Sequence, residues 1–490
     1  MNSNRLVTWI AFLAVFAMAA RISVDTDTWW HLRAAQWIIE NRQFPQVDEF
    51  SYTRYGETWQ VPGWLVDIPM YWIYQATGMG GLNLWTATMV TLAFFFVWRT
   101  MDGNVFLRAC VLVLAAAASG VYWAARPYLV TFVLAGVYLC LLEGYRWKKW
   151  VTSPRWLIWL PLLMVVWVNC HGGFIVGFML WGIYWIAEVG AILWEGLKAT
   201  GKLPTPRCIL TPLFWAGMGM LLAVCVNPYG VSMIAYPFKT VSIGVLRDYI
   251  QEWQTPQFHS FSVQPFAWLI FLTFGAVGVS PRRLAFVYFI LVALFAYLGL
   301  LAGRNVALFA IVTPMVITRH LSPLVDPWLY KRGIFSEAGG SLSKSVRFIN
   351  CLIFLILLGA VIVKVGMVYP ERVNLDAMRK IVPVEAVAFL KDERPPGRLF
   401  NSYNWGGYLV WALPEYPVFV DGRTDLYNDA IISEWLKVVR TEPGWQEVLD
   451  TYHVNLVLIE SSSYLERMLA LDSGWRVIYQ DALAVIYQRR

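Results

Sequence analysis

Charge is scarce in this sequence: Lys, Arg, Asp and Glu together make 14% of its 490 residues, against 58% hydrophobic residues. A soluble chain carries about 25% charged residues, so this one cannot clothe a water-facing surface of its own size. The deficit coincides with many uncharged runs of about 17–22 residues, the length that crosses a bilayer as a helix. Cysteine is sparse too. The six (Cys110, Cys140, Cys170, Cys208, Cys225, Cys351) stand singly in or beside apolar runs. Without CxxC spacing they offer neither a zinc site nor a disulfide framework. The net charge of +7 comes without a basic cluster. Lys and Arg occupy short loops between apolar runs, as membrane orientation requires, and not one phosphate-gripping face, which excludes nucleic acid as a partner.

What is present is a series of apolar segments near 6–22, 64–98, 105–124, 127–144, 156–170, 173–195, 209–226, 261–279, 283–301, 305–318 and 348–366. They predict a mainly α polytopic membrane protein of about 11–13 transmembrane helices. The first run, with "AMAA" behind it, has the features of a signal peptide, but the many later spans favour an uncleaved first helix. The segment 64–98 is interrupted by "GMGG"; its first half carries Asp67 and is expected to lie in the interface, so that the whole crosses once. After residue 370 the pattern changes. "PVEAVAFLK" reads as a helix, "PVFVDGR" and "VNLVLIESS" as strands, "DAIISEWLKVVR" as a helix and the last sixteen residues as a hairpin. The expected division is a transmembrane part, 1–369, and a C-terminal soluble α/β domain, 370–490.

The positive-inside rule orients the bundle. Arg146, Lys148, Lys149 and Arg155 lie in one loop, and Lys198, Lys202 and Arg207 in another. Arg282 and Arg283 mark a third, and Arg319, Lys331, Arg332, Lys344 and Arg347 a fourth. Placing all four inside gives strict alternation and puts the first loop, 23–63, and the C-terminal domain outside. The outer face then collects Asp25, Asp27, His31, Asp48, Glu49, Arg126, His171, Asn227, Tyr229, Arg247, Asp248, Glu252 and Arg304. Ionisable groups at span ends are costly to hold there and mark function.

The first loop opens "SVDTDTWWHLR". Partial desolvation next to the membrane would raise a carboxylate's pKa and make it a better base, whereas a divalent cation or an arginine would hold it ionised. Asp25 and Asp27 could present both carboxylates to one metal, or one could accept a proton from an attacking hydroxyl. Alternatively Asp27 or Thr28 caps the amphipathic helix that follows. Arg126 and Arg304 suit phosphate oxygens; the other reading is snorkelling to the headgroups. His171, in "NCHGGF", could donate to a phosphate or join Asp25 and Asp27 on a metal; the other reading is a satisfied structural histidine. "NPYG" at 227–230 is a turn. Asp421 sits at the end of an expected strand with Arg423 and Asp425 behind it, either a ligand crevice or a network that orders the loop.

"DTWWHLR" followed by "FPQVDEFSY" resembles the first external loop of the GT-C superfamily of membrane glycosyltransferases, nearest the oligosaccharyltransferase catalytic subunits and related to protein O-mannosyltransferases. "HGGF", "NPYG", "RN" and "WGGYLVW…VFVDGRTD" resemble uncharacterised bacterial members. The likeness covers about 30 residues as motif and the whole chain as order of elements. It implies a sugar transferred, with inversion, from a polyprenyl-phosphate or -diphosphate donor to a glycan, lipid or protein acceptor on the outer face of a bacterial plasma membrane. Asp27, with Asp25, corresponds to the acidic catalytic position. Arg126, Arg304, His171 and Arg247 would hold the donor phosphate. His31, Trp29, Trp30, Asp48, Tyr408, Asp421 and Arg423 would contact acceptor or substrate. Magnesium or manganese on Asp25, Asp27 and His171 is the expected cofactor. The chain departs from the pattern in two places: no second acidic pair stands near Arg126, and "YNWGGY" has Trp405 where the sequon-reading signature has Asp. A polysaccharide polymerase or ligase and a non-catalytic assembly subunit are the competing readings.

Overall fold

A computed structural model describes residues 1–201, 205, 209–244, 249–332 and 343–490. Lys202, Arg207, Cys208, Arg247 and Asp248 lie outside them. Each of the eleven apolar segments forms a helix, because a chain in hydrocarbon must satisfy its own backbone groups. They are α1 (Ser3–Ala19), α3 (Trp64–Thr100), α4 (Val105–Ser119), α5 (Tyr128–Arg146), α6 (Trp159–Val168), α7 (Ile175–Thr200), α8 (Pro212–Val224), α10 (Gln264–Val279), α11 (Phe286–Leu301), α12 (Val306–Lys331) and α13 (Lys344–Val368). Among the described residues, six helical stretches are long and apolar enough to cross a membrane, and five more are shorter apolar helices. Two further helices among the described residues, α2 (Thr28–Asn41) and α9 (Tyr236–Ser242), lie in the loops. The chain break foreseen at "GMGG" falls at Gly78, whose φ of 63° and ψ of −159° kink α3. A glycine tolerates this backbone without a Cβ penalty. The half of α3 before the kink buries Val66, Asp67 and Met70. The centre of the bundle is the first half of α12, buried continuously from Val306 to Thr318.

The C-terminal part contains helices α14 (Glu371–Met378), α15 (Val384–Glu393), α16 (Tyr403–Ala412), α17 (Thr424–Val439), α18 (Trp445–Thr451) and α19 (Tyr464–Leu471). Its sheet has four strands: β1 (Arg398–Asn401), β2 (Val454–Glu460), β3 (Trp475–Gln480) and β4 (Ala484–Arg489), in the order β1-β2-β4-β3. β1 runs parallel to β2, and β4 pairs antiparallel with β2 and β3. "VNLVLIE" and the closing hairpin are therefore strands as expected.

"PVFVDGR" is not. Residues 417–423 are extended but join no ladder. The side chain of Asn401 serves their backbone, accepting from Phe419 N and donating to Val420 O. On the other side they pair with the first loop: Val418 N–H donates to Phe50 O, Tyr52 N–H to Val418 O, and the Thr53 hydroxyl to Phe419 O. A strand pattern is legible there because Val418, Phe419 and Val420 form a short β-branched and aromatic run, all three buried; its backbone partner is a loop 366 residues away in sequence, which no local pattern encodes.

An ion cluster locks this junction. Arg423 donates to both oxygens of Asp421 and, at 2.6 Å, to Asp48 Oδ1, and Tyr427 OH donates to Asp421. All three charged residues are buried, and the Arg423 guanidinium stacks 4.5 Å from the Trp59 ring. A buried arginine shared by two carboxylates offsets their charge, and its removal strands both. Replacing Arg423 by Met is therefore expected to lower unfolding stability by about 3–5 kcal/mol and to open residues 43–63 to protease. Removing Arg379, whose pair with Glu385 is half-exposed, should change stability by less than about 1 kcal/mol. Chemical denaturation in detergent with limited proteolysis checks both.

Candidate active site

Asp25 and Asp27 follow α1 directly, in a short extended link that leads into α2. Neither caps that helix: Asp27 occupies the N-cap position but makes no capping hydrogen bond. Its backbone N–H instead donates to Asp25 Oδ1 at 2.9 Å. Both carboxylates turn to Arg126, in the link before α5. Arg126 Nε lies 2.6 Å from Asp25 Oδ1, Nη2 3.0 Å from Asp27 Oδ2, and Nη1 2.9 Å from Glu252 Oε1. One guanidinium thus serves three acids brought by two separate loops. The sequence had placed Glu252 on the same face without a role; lying in "QEWQ", 126 residues after Arg126, it carries no motif of its own.

The arginine's position is fixed by its surroundings. Thr28 donates to Ala125 O, Arg21 to Trp123 O, and Tyr128 OH accepts from Ala124 N, so the start of α2 and the exit of α1 both hold the link that carries Arg126. From above, the C-terminal part comes into contact. A Cβ at Gly422 would lie 1.8 Å from Asp27 Oδ1, and one at Gly407 2.3 Å from Thr26 O. Only glycine at these two places lets the backbone come that near.

Burial pushes the Asp27 carboxyl up to about 6; the Arg126 charge opposes this, and repulsion from Asp25 and Glu252 adds to it. Asp27 remains 22% exposed, so the group is accessible as well as tuned. The Arg126 guanidinium is held charged by its three acids, against the effect of burial.

The other expected site residues divide. His31 stays with the acids, one turn after Asp27; its Nδ1 is 3.0 Å from Oδ1 of Asp67, and its ring stacks 3.5 Å over Trp30. Asp67, fully buried, anchors the ring, a role that its place inside an apolar segment did not reveal. Arg304 stacks 4.5 Å from the Trp253 ring, next to Glu252, and makes no ion pair among the described residues. His171 lies within electrostatic reach of Arg304 and Arg126. Its Nδ1, however, accepts the Gly173 N–H at 3.0 Å and meets the Thr131 hydroxyl at 2.8 Å, the satisfied structural arrangement.

Several expectations are corrected. Trp29 is buried against Tyr74 and Tyr408, rings 5.7 and 5.5 Å away; Trp29 and Tyr408 are core, not substrate contacts. Asp48, Asp421 and Arg423 use their polar atoms on one another inside the interface described above and present nothing to a ligand. The metal set Asp25, Asp27 and His171 is not assembled, since His171 faces a turn and the acids splay around a guanidinium. Among the described residues no three Asp, Glu, His or Cys side chains group as a metal would need. This donor set fits Arg126, not a divalent cation, and no step below is routed through one. Asn227 accepts the Tyr229 N–H in the expected "NPYG" turn, and the Tyr229 hydroxyl accepts from Val61 N in the first loop.

No family model matches the chain, and no curated protein matches it. Solved structures do. The archaeal oligosaccharyltransferase AglB from Archaeoglobus fulgidus, in complex with an inhibitory peptide and a dolichol-phosphate, aligns with a TM-score of 0.56 at 13% identity, over 93% of this chain and 69% of its own. The Archaeoglobus fulgidus oligosaccharyltransferase tethered with an acceptor peptide containing the NVT sequon aligns with the same score and identity over 100% and 74%. The arabinofuranosyltransferase AftD from Mycobacteria aligns with a TM-score of 0.51 at 13% identity, over 100% of this chain and 40% of that one. Both kinds of enzyme are GT-C glycosyltransferases; the fold of this chain, spans and C-terminal α/β part together, is the GT-C fold.

Proposed function

We propose that this chain is a membrane glycosyltransferase that moves a sugar from a polyprenyl-phosphate or polyprenyl-diphosphate donor to an acceptor at the outer face of a bacterial plasma membrane. The observation that carries the reading is the tuned, partly exposed Asp27 beside Asp25, Glu252 and Arg126 at the span ends of a GT-C fold. The division into a transmembrane part, 1–369, and an extracytoplasmic part, 370–490, belongs to the same proposal.

The steps follow from which groups are already engaged. Asp27, ionised above about pH 6, takes the proton of the acceptor hydroxyl as its oxygen attacks the anomeric carbon. The carbon–oxygen bond to the donor phosphate breaks on the opposite side, so configuration inverts and the phosphate leaves with the bonding pair. Arg126 has all three kinds of guanidinium nitrogen on carboxylates, so its role is to hold the acids in place. The leaving phosphate falls to Arg304, which has no carboxylate partner among the described residues and is braced by Trp253; fixed cations act strongly on charge that develops in a water-poor site. Asp67 keeps His31 oriented next to Asp27. The tail of the donor would lie along the apolar bundle, which is why such chemistry belongs at the membrane surface.

Asp27→Asn should lower donor turnover in proteoliposomes by ~10²–10⁴-fold with unchanged thermal stability, and cells carrying it should lose the same envelope glycan as cells without the chain, read by mass spectrometry. Full turnover by Asp27→Asn would overturn Asp27 as the base, and no turnover by the unsubstituted chain would leave the non-catalytic assembly subunit as the reading. For pH the sign is set by Asp27 working deprotonated. Turnover at limiting donor should fall about tenfold per pH unit below about 6. Arg126→Gln, which removes the charge that favours the ionised form, should move that limb to higher pH. Gly422→Ala, which drives a methyl into Asp27, should reduce turnover by ~10²-fold, the effect of about 1 Å of misplacement.

A further inference from the structure

The far end of the bundle holds a second, differently built cavity. α5 starts beside Arg126 and ends at Arg146, roughly 28 Å away at 1.5 Å per residue. There a cavity of about 980 Å³ opens between the ends of α5, α7, α8 and α11. Its polar end carries Arg146, Lys148 and Glu188, and its wall includes Trp194 and Phe286, both exposed. Neither Arg146 nor Lys148 has a carboxylate within ion-pair distance among the described residues. The Nε of Arg146 is buried without a hydrogen-bond partner, while its guanidinium leans over the Trp147 and Tyr288 rings. Lys148 takes a left-handed backbone, φ 48°, just past the end of α5, a position that usually falls to glycine. Glu188 accepts from Tyr145 OH with one oxygen at 2.9 Å, and its other oxygen is buried with no partner. Buried polar atoms without partners call for an explanation.

Two unpaired cations, one half-satisfied carboxylate and a laterally exposed apolar wall are the complement of a zwitterionic amphiphile. Exposed tryptophans 147, 156, 159, 194 and 215 cluster in the segments around this end, the residues that mark the headgroup level of a bilayer. We propose that this cavity is a specific site for an aminophospholipid of the leaflet opposite the acid cluster. Its phosphate lies on Arg146 and Lys148, its primary ammonium donates to Glu188, and an acyl chain runs along Trp194 and Phe286. Choline lipids lack the N–H that Glu188 requires, and glycerol lipids lack the cation. The site is separate from the glycosyl-transfer reading and stands without it.

The test is native mass spectrometry and thermal melting of the delipidated full chain, titrated with phosphatidylethanolamine, phosphatidylcholine or phosphatidylglycerol in mixed micelles, and with inorganic phosphate alone. The ethanolamine lipid should saturate at a concentration at least tenfold lower than the choline lipid. Arg146→Gln with Lys148→Gln should abolish that saturable binding, and Glu188→Gln should erase the preference over phosphatidylglycerol. Ala191→Trp, which fills the wall and touches no charge, should also abolish binding and serves where the double variant does not fold. Arg282→Gln with Arg283→Gln should retain it. Equal affinity for ethanolamine and choline lipids, unchanged binding in both Arg146→Gln/Lys148→Gln and Ala191→Trp, or a melting shift matched by inorganic phosphate alone would overturn the proposal.

Discussion

Three carboxylates from two loops converge on one guanidinium, and the face of the bundle that meets the C-terminal part is arranged around it. Left to themselves, Asp25, Asp27 and Glu252 would repel one another in a partly dehydrated cleft, where a pair of charges at 4 Å interacts by about 4 kcal/mol at an intermediate effective dielectric. Arg126 turns the repulsion into a shared attraction, with all its contacts at 2.6–3.0 Å. Because it sits at the start of α5, the loops can reach it only if α1, α2 and α5 are already in register. The same convergence leaves Asp27 balanced between burial, which favours its neutral form, and the arginine, which favours its charge. A carboxyl in that balance changes protonation near pH 6.

The molecule contains a second arginine held between aspartates, and the comparison is instructive. Arg423 with Asp48 and Asp421 is sealed from water and stacked on aromatic rings; Arg126 with its acids is partly open. Similar side chains, bonded at similar distances, therefore sit in opposite environments. The sealed set fixes the C-terminal part against the first loop, and that attachment carries Gly422 onto Asp27. The open set keeps an accessible carboxylate. Exposure, not residue type, separates the two ion sets.

Much of the fold could be read in advance because its signals are local. A membrane span announces itself by composition over some twenty consecutive residues, and all eleven apolar segments are helices. The kink at Gly78, the "NPYG" turn, β2 and the closing hairpin follow from residues a few positions apart. Of the candidate site, Asp25, Asp27, Arg126 and His31 were named on residue type, span-end position and likeness to a motif, and they meet in space. Trp29, from that motif, and Tyr408, from "YNWGGY", lie in the core, since each is on the protein-facing side of its helix. Asp421 was read at the end of a strand whose backbone partner turned out to be Phe50 and Tyr52.

The sequence by itself settled the medium this chain lives in, the order of its helices and the presence of acids where it leaves the membrane, because hydrophobicity and charge act through short stretches of neighbouring residues. Tertiary structure alone decided that Glu252 completes the acid cluster, that Asp67 holds His31, that Arg126 spends its charge on carboxylates while Arg304 keeps its own, and that Gly422 rests on Asp27. Each of these pairs residues tens to hundreds of positions apart. Coulombic and steric contacts of that kind exist only once the chain is packed, and their strength depends on how much water packing has removed.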